Sequence, residues 1–275
     1  MKKSIVWLAS YPKSGNTWTR VFLANYLANP DKPLSINQVR HFGMGDAIAK
    51  TYRMVSNGRV DFNDPHSVLR YRDPVLQAII RNNADVNFVK THNICGAAFG
   101  VELIPERYTR CGVYILRNPM DIVLSFARHF DKDLEQAIDA MANPEHVIQD
   151  ATTAAQFLGN WSEHVKGWAA ERRFPMLVLR YEDLQSDPQT NFSKVLEHVG
   201  VTVEPDRVAK AVEFSSFDVL RKQEEKEGFV EKPEQAERFF AKGTSGQWKT
   251  DLPANFAKRL RKDHRKIMKK YGYIE

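Results

Sequence analysis

The chain has 275 residues, 43% of them hydrophobic and 27% charged, which suits a globular protein with a sizeable core and excludes a disordered or fibrous one. Its formal net charge of +6 fits an anionic ligand, nucleic acid or a merely basic surface, so charge alone selects no function. Two cysteines, Cys95 and Cys111, in no CxxC or Cys/His cluster, exclude a disulfide framework and point to a reducing cytoplasm.

Met1-Lys2-Lys3 and the apolar run Ile5–Ala9 imitate a signal peptide, but Tyr11-Pro12-Lys13 ends the run well short of the ~7–15 apolar residues such a segment needs. No stretch reaches the roughly 18 apolar residues of a membrane span. The expectation is a soluble, cytoplasmic protein without a membrane partner. Ile5–Ala9 instead reads as a buried strand, and Asn16 to Leu27 as a helix carrying Val21, Phe22, Tyr26 and Leu27 on related faces. Between them lies Ser10-Tyr11-Pro12-Lys13-Ser14-Gly15-Asn16-Thr17-Trp18. A tight loop joining strand to helix brings backbone N–H groups and the positive end of a helix dipole to one point. Gly15 lets backbone approach an anion, Ser14 and Thr17 add hydroxyls, and Lys13 adds a compact cation. This P-loop-like cradle is not a Walker A loop, because Lys13 precedes the only glycine instead of following it.

Pro30 to Asp85 mixes turns, aromatics and basic residues, and Phe42, Tyr52, Phe62 and Tyr71 within it are candidates for an apolar substrate mouth. Val86–Thr91 is a second strand, ending in Lys90-Thr91-His92. An imidazole with an ordinary pKa near 6.5 can accept a proton near neutral pH, which makes His92 the candidate general base. A third strand, Gly112–Leu116, ends in Arg117, and Asn118-Pro119 then opens a helix through Val123, Phe126 and Ala127 with Ser125 two turns in. A guanidinium at the carboxyl end of a strand, with a hydroxyl facing the same crevice, suits a second phosphate group. Arg117 pairing with Asp121 is the structural alternative. Met176–Arg180 is a further strand, and Asp187-Pro188 starts a helix through Phe192, Val195, Leu196 and Val199 that Gly200 stops. The polar stretches Lys132–Thr153 and Gln223–Phe240 are expected to help form the substrate pocket as lids. Pro253 to Tyr271 reads as one Lys/Arg-rich helix, a solvated face with Leu260, Ile267 and Met268 inward, in preference to a nucleic-acid patch.

Strands alternating with helices predict an α/β fold: one domain over residues 1–275, with a central parallel β-sheet flanked by helices. Tyr11-Pro12-Lys13-Ser14-Gly15-Asn16-Thr17-Trp18 resembles the 5′-phosphosulfate loop of sulfotransferases that use 3′-phosphoadenosine 5′-phosphosulfate. Ile115–Phe126 is similar to the same family's 3′-phosphate motif, with the spacing from Arg117 to Ser125 intact. Lys242-Gly243-Thr244-Ser245-Gly246-Gln247-Trp248-Lys249 resembles its late glycine-rich segment.

The resemblance runs from Trp7 to about Lys249. It implies sulfuryl transfer from that nucleotide, without a metal, to a phenol or alcohol of a small-molecule acceptor. Catalytic roles fall on His92, Lys13 and Lys90. Donor contacts fall on Lys13, Ser14, Gly15, Asn16, Thr17, Trp18, Arg117, Ser125, Tyr181, Ser215, Phe217, Lys242 and Gly243. The remaining histidines (His41, His66, His129, His146, His164, His198 and His264) read as surface or packing residues. Ala241 stands where the family usually carries Arg, so either Lys242 and backbone donors suffice or Arg238 reaches in. The family's C-terminal dimer motif is not legible, which leaves monomer and homodimer open. The loop wording is nearer to bacterial members, some of which sulfate natural products. The competing readings are a nucleotide kinase, which needs Mg²⁺ to bridge phosphates, and a non-catalytic nucleotide- or nucleic-acid-binding protein.

Overall fold

The apolar run at the amino end folds as β1 (Ser4–Ser10), the middle strand of a five-stranded sheet. The other members are β2 (Met44–Gly45), β3 (Val86–Thr91), β4 (Thr109–Leu116) and β5 (Met176–Arg180). Their spatial order is β2-β3-β1-β4-β5, and every pairing is parallel. The computed structural model describes residues 4–82, 84–170, 173–233 and 236–275, with backbone alone at 40 and 41. The basic start Met1-Lys2-Lys3 and the His41 side chain lie outside the described residues.

Both faces of the sheet are covered, which is why its strands lack polar alternation. Successive side chains of a strand point to opposite faces. Val6 and Leu8 accordingly join one core with Phe22 of α1 (Asn16–Ala28), while Ile5, Trp7 and Ala9 join the other with Phe126 of α2 (Pro119–His129) and Trp161 and Trp168 of α3 (Trp161–Ala169). On the α1 face, Phe22 stacks on Phe192 of α4 (Pro188–Val199) at 4.0 Å between centroids. The expected caps form. The Asn118 side chain accepts from the Met120 N–H at 3.0 Å, the Asp187 side chain accepts from the Thr190 N–H at 3.1 Å, and Gly200 closes α4 at φ 80.

The register decides where the chemistry sits. Ala9 lies beside Thr91 of β3 on one side, and Ser10 lies beside Ile115 of β4 on the other. Chain segments leaving β1, β3 and β4 thus diverge from one edge, at the point where the strand order reverses. In an open parallel sheet that is where a ligand crevice forms.

Two expectations change. The basic carboxyl-terminal helix is two helices, Ala254–Asp263 and Arg265–Lys270, broken at His264, although Leu260, Ile267 and Met268 are buried as read. The break lets the His264 imidazole turn inward, where its Nδ1 lies 2.9 Å from the Ser162 hydroxyl of α3. The segment from Pro30 to Asp85 carries the helices Ala49–Val55, Pro65–Arg70 and Arg72–Ile80, and it supplies the edge strand β2, too short to leave a periodic signal. Among the described residues no helix is long and apolar enough to cross a membrane.

Candidate active site

The turn from β1 to α1 needs two left-handed residues, Lys13 at φ 67 and Gly15 at φ 101. Gly15 is required twice over, because a Cβ there would also lie 2.6 Å from Cδ2 of Tyr181. Lys13 holds a conformation that non-glycine residues adopt rarely and that functional turns often impose. No side chain caps α1, so its first N–H groups remain available to an anion. They open on a cavity of about 960 Å³ lined by Lys13, Gly15, Asn16, Thr17 and Trp18. Ser14 does not line it. Its hydroxyl is buried behind the loop, with no hydrogen-bond partner among the described residues.

The Lys13 ammonium sits 3.3 Å from His129 Nδ1 and 4.0 Å from the Phe239 ring centroid. Burial, with help from the charges of Lys90, Arg117 and Arg128, lowers its pKa to about 7. His129 is therefore more than a surface or packing histidine: it touches the loop cation and lines the cavity. Burial and the Lys13 charge push its own pKa down to about 3, so it faces Lys13 as a neutral ring.

Arg117 closes the far end of the loop. Its guanidinium donates to the Lys13 carbonyl at 3.0 Å and to the Thr244 carbonyl at 3.1 Å, and lies 4.4 Å from the Tyr181 ring centroid. The alternative pairing with Asp121 does not form. Asp121 accepts instead from the N–H groups of Gly246 and Trp248 at 2.7 and 3.0 Å. Tyr181 and Gln185 both donate to the Gly243 carbonyl, at 3.0 and 2.7 Å. Phe217, first residue of α5 (Phe217–Glu227), covers Gly243 so closely that a Cβ would meet its ring at 2.1 Å. Ser125, Ser215, Lys242 and Gly243 also line the cavity. The Ser215 hydroxyl, however, donates to the Val212 carbonyl at 3.2 Å, and the Lys242 ammonium is held by Asp251 at 2.5 Å. Arg238 does not reach in; it pairs with Glu225 at 3.2 Å on the surface.

At the end of β3, His92 Nδ1 lies 2.8 Å from the Ser10 carbonyl. A carbonyl can only accept, so Nδ1 carries the proton and Nε2 the lone pair. Burial and the neighbouring Lys90 charge hold its pKa well below the ordinary histidine value, so the imidazole is neutral at neutral pH. The strand end is locked from behind. Thr91 and Asn93 donate to Asp46 at 2.7 and 3.1 Å, and buried Arg72 pairs with the same carboxylate at 2.7 Å. His164 Nε2 donates to the His92 carbonyl at 3.0 Å. Lys90 is not free: Glu231 binds it at 3.3 Å and grips Arg20 with both oxygens, at 2.8 and 2.7 Å. Burial opposes the Glu231 charge, but Lys90 and Arg20 outweigh it and hold the carboxyl well below the usual carboxylate range.

Sequence reasoning missed Arg20, Arg128, His129, Glu231 and Phe239. Helical spacing carried a signal for two of them: Arg20 lies three residues after Thr17 on α1, and Arg128 three after Ser125 on α2. Glu231 and Phe239 lie in irregular chain and carry none. The proposed mouth residues are placed elsewhere. Phe42 stacks on Phe88 at 5.0 Å, Tyr52 is buried in the core with Phe62 against it, and neither they nor Tyr71 line the cavity. Their apolar rings were drawn into packing. Parts of both polar stretches, residues 148–153 and 230–233, line the cavity instead.

A family model for the sulfotransferase domain matches residues 3–272. Rat sulfotransferase 1 family member D1 is 24% identical over 269 residues, covering 95% of this chain and 82% of the relative. Flavonol 3-sulfotransferase of Flaveria bidentis is 26% identical over 262 residues, covering 89% of this chain and 75% of its own. Among solved structures, retinol dehydratase in complex with retinol and PAP superposes with TM-score 0.67 at 18% identity, over 98% of this chain and 82% of that one. A mouse sulfotransferase complexed with PAP gives TM-score 0.62 at 18% identity, over 98% and 86% of the two chains.

Proposed function

This chain belongs to the sulfotransferase domain family, and we propose that it acts as one catalytic domain moving a sulfuryl group from 3′-phosphoadenosine 5′-phosphosulfate to a hydroxyl of a small-molecule acceptor, with His92 as general base. The observation that carries this reading is one cavity bounded by the Lys13 loop, by His92 and by Arg117 with Ser125. A 5′-phosphosulfate and a 3′-phosphate call for cations at two points, and the reading is supported by Lys13 and Arg117 both lining the cavity. The PAP-bound structural neighbours agree with that choice of donor.

The residues fit the group. Lys13 and the open N–H groups of α1 face the 5′ end, Arg117 and Ser125 face the 3′ end, and the rings of Trp18, Tyr181 and Phe217 line the cavity between them. His92 Nε2 is the free lone pair, and Ser10 fixes the tautomer. It takes the acceptor's hydroxyl proton as that oxygen bonds to sulfur. The bond from sulfur to the 5′-phosphate oxygen breaks, and its electron pair leaves with adenosine 3′,5′-bisphosphate. Lys13, with Lys90 beside it, offsets the charge that grows on the departing oxygen.

The test is transfer of radiolabelled sulfate to a panel of phenols and alcohols, with and without EDTA. Transfer that persists in EDTA, is lost by at least ~10²-fold in His92→Ala, and leaves adenosine 3′,5′-bisphosphate binding intact is the expected result. Undiminished turnover in His92→Ala removes the base assignment, and dependence on Mg²⁺ favours the kinase reading.

A further inference from the structure

Ala241 leaves the 3′-phosphate end of the cavity without the arginine that the sequence resemblance leads one to expect there, and the structure excludes Arg238 as its replacement. Lys242 does not fill the role either, since Asp251 holds its ammonium. What faces that end instead comes from α2. Asp121, Ser125 and Arg128 follow at i, i+4 and i+7, the spacing that sets side chains on one helix face, and all three line the cavity. Asp121 is used up in holding the Gly246 and Trp248 amides, and this ties the 243–248 segment to α2.

Arg128 has no hydrogen bond and no ion pair among the described residues, and its side chain is open to solvent. Partial burial of its charged end lowers its pKa first, Asp251 opposes that, and the Arg117 charge adds to it; Arg128 in turn lowers the pKa of Lys13. Two cations, Arg117 and Arg128, thus line the 3′ end of the cavity, where Asp121 and Asp251 are committed to other partners. Such an excess of positive charge is relieved by a doubly charged phosphate monoester.

We propose that Arg128 is the guanidinium that binds the donor's 3′-phosphate alongside Arg117 and Ser125, replacing from α2 the arginine missing at Ala241. This rests on the donor assigned above. A planar fork of donors can reach two phosphate oxygens at once, whereas the Lys242 point charge remains with Asp251.

The test compares adenosine 3′,5′-bisphosphate with adenosine 5′-phosphate, which lacks the 3′ group, by calorimetry on wild type, Arg128→Ala and Arg128→Lys, with thermal melts to show that each variant folds. Arg128→Ala should weaken the bisphosphate about 10- to 100-fold and leave the monophosphate within about twofold. Arg128→Lys should recover part of the loss. Equal losses for both nucleotides, or no loss for either, overturn the proposal; so does a variant that raises only the acceptor KM, which assigns Arg128 to acceptor recognition. A wild-type protein that does not distinguish the two nucleotides overturns the donor reading itself, and is recognisable because no variant is needed to see it.

Discussion

The two walls of the cleft are built in different ways. One wall, Ser10 to Trp18, is continuous backbone running from the central strand into α1, shaped by the positive φ of Lys13 and Gly15. The opposite wall, from Phe229 to Trp248, includes among its described residues no strand and only the start of a short helix at Trp248, and side chains tie it down. Glu231 binds Arg20 and Lys90, Glu224 accepts from the N–H groups of Phe239 and Phe240 at 2.6 and 2.9 Å, and Asp121 holds Gly246 and Trp248. The first wall is therefore preorganised by the sheet. The second is fastened by polar contacts, one of which occupies cations that an incoming anion also attracts. A fixed cradle facing a detachable cover suits a site that must hold charge accurately, exclude water and still admit its ligand.

Removing the ammonium from the fixed wall should have the largest effect. Lys13→Ala should lower kcat by roughly 10²–10³-fold, as loss of one preorganised donor to the developing charge does elsewhere, with a melting temperature close to that of wild type. A variant that loses only donor affinity, with kcat retained, would make Lys13 a binding residue and the cradle a seat for the anion alone.

Breaking the detachable wall should act on stability first. Glu231→Gln leaves Arg20, 1% exposed, without its carboxylate, and should cost about 3 kcal/mol in urea unfolding. Amide exchange should rise at Phe239 and Phe240 while α1 stays protected. The same pair sets a pH dependence. Glu231 has a folded pKa below its unfolded one, so its contribution is complete above the unfolded value and fades as pH falls toward the folded one. Uniform exchange across both walls would end the distinction between them.

The smallest effect is a proton. Lys13 titrates near 7 in the free protein, and a bound anion favours its charged form. Affinity for adenosine 3′,5′-bisphosphate should therefore fall as pH rises past about 7, by at most about tenfold per unit, with proton uptake on binding visible in buffers of different ionisation enthalpy. Lys13→Arg, which stays charged, should flatten the profile. A profile unchanged by that substitution would assign the proton to another group.

The sequence determined the parts that depend on neighbours along the chain. The strands of the sheet other than β2, the caps at Asn118 and Asp187, the Lys13–Thr17 loop and His92 at a strand end all follow from local pattern, because hydrophobic runs and turn chemistry act over a few residues. Arg117 beside Lys13 was legible only as a strand-end position. Tertiary structure decided the rest. Glu231 reaches Arg20 across 211 residues of chain and Lys90 across 141, a pairing with no local signal. Phe42, Tyr52 and Phe62 went to packing because apolar rings bury wherever the sheet leaves room. The missing arginine at Ala241 is visible in one line of sequence, but its replacement by Arg128 depends on which face α2 turns to the cleft, and that is set by how the helix packs on the sheet.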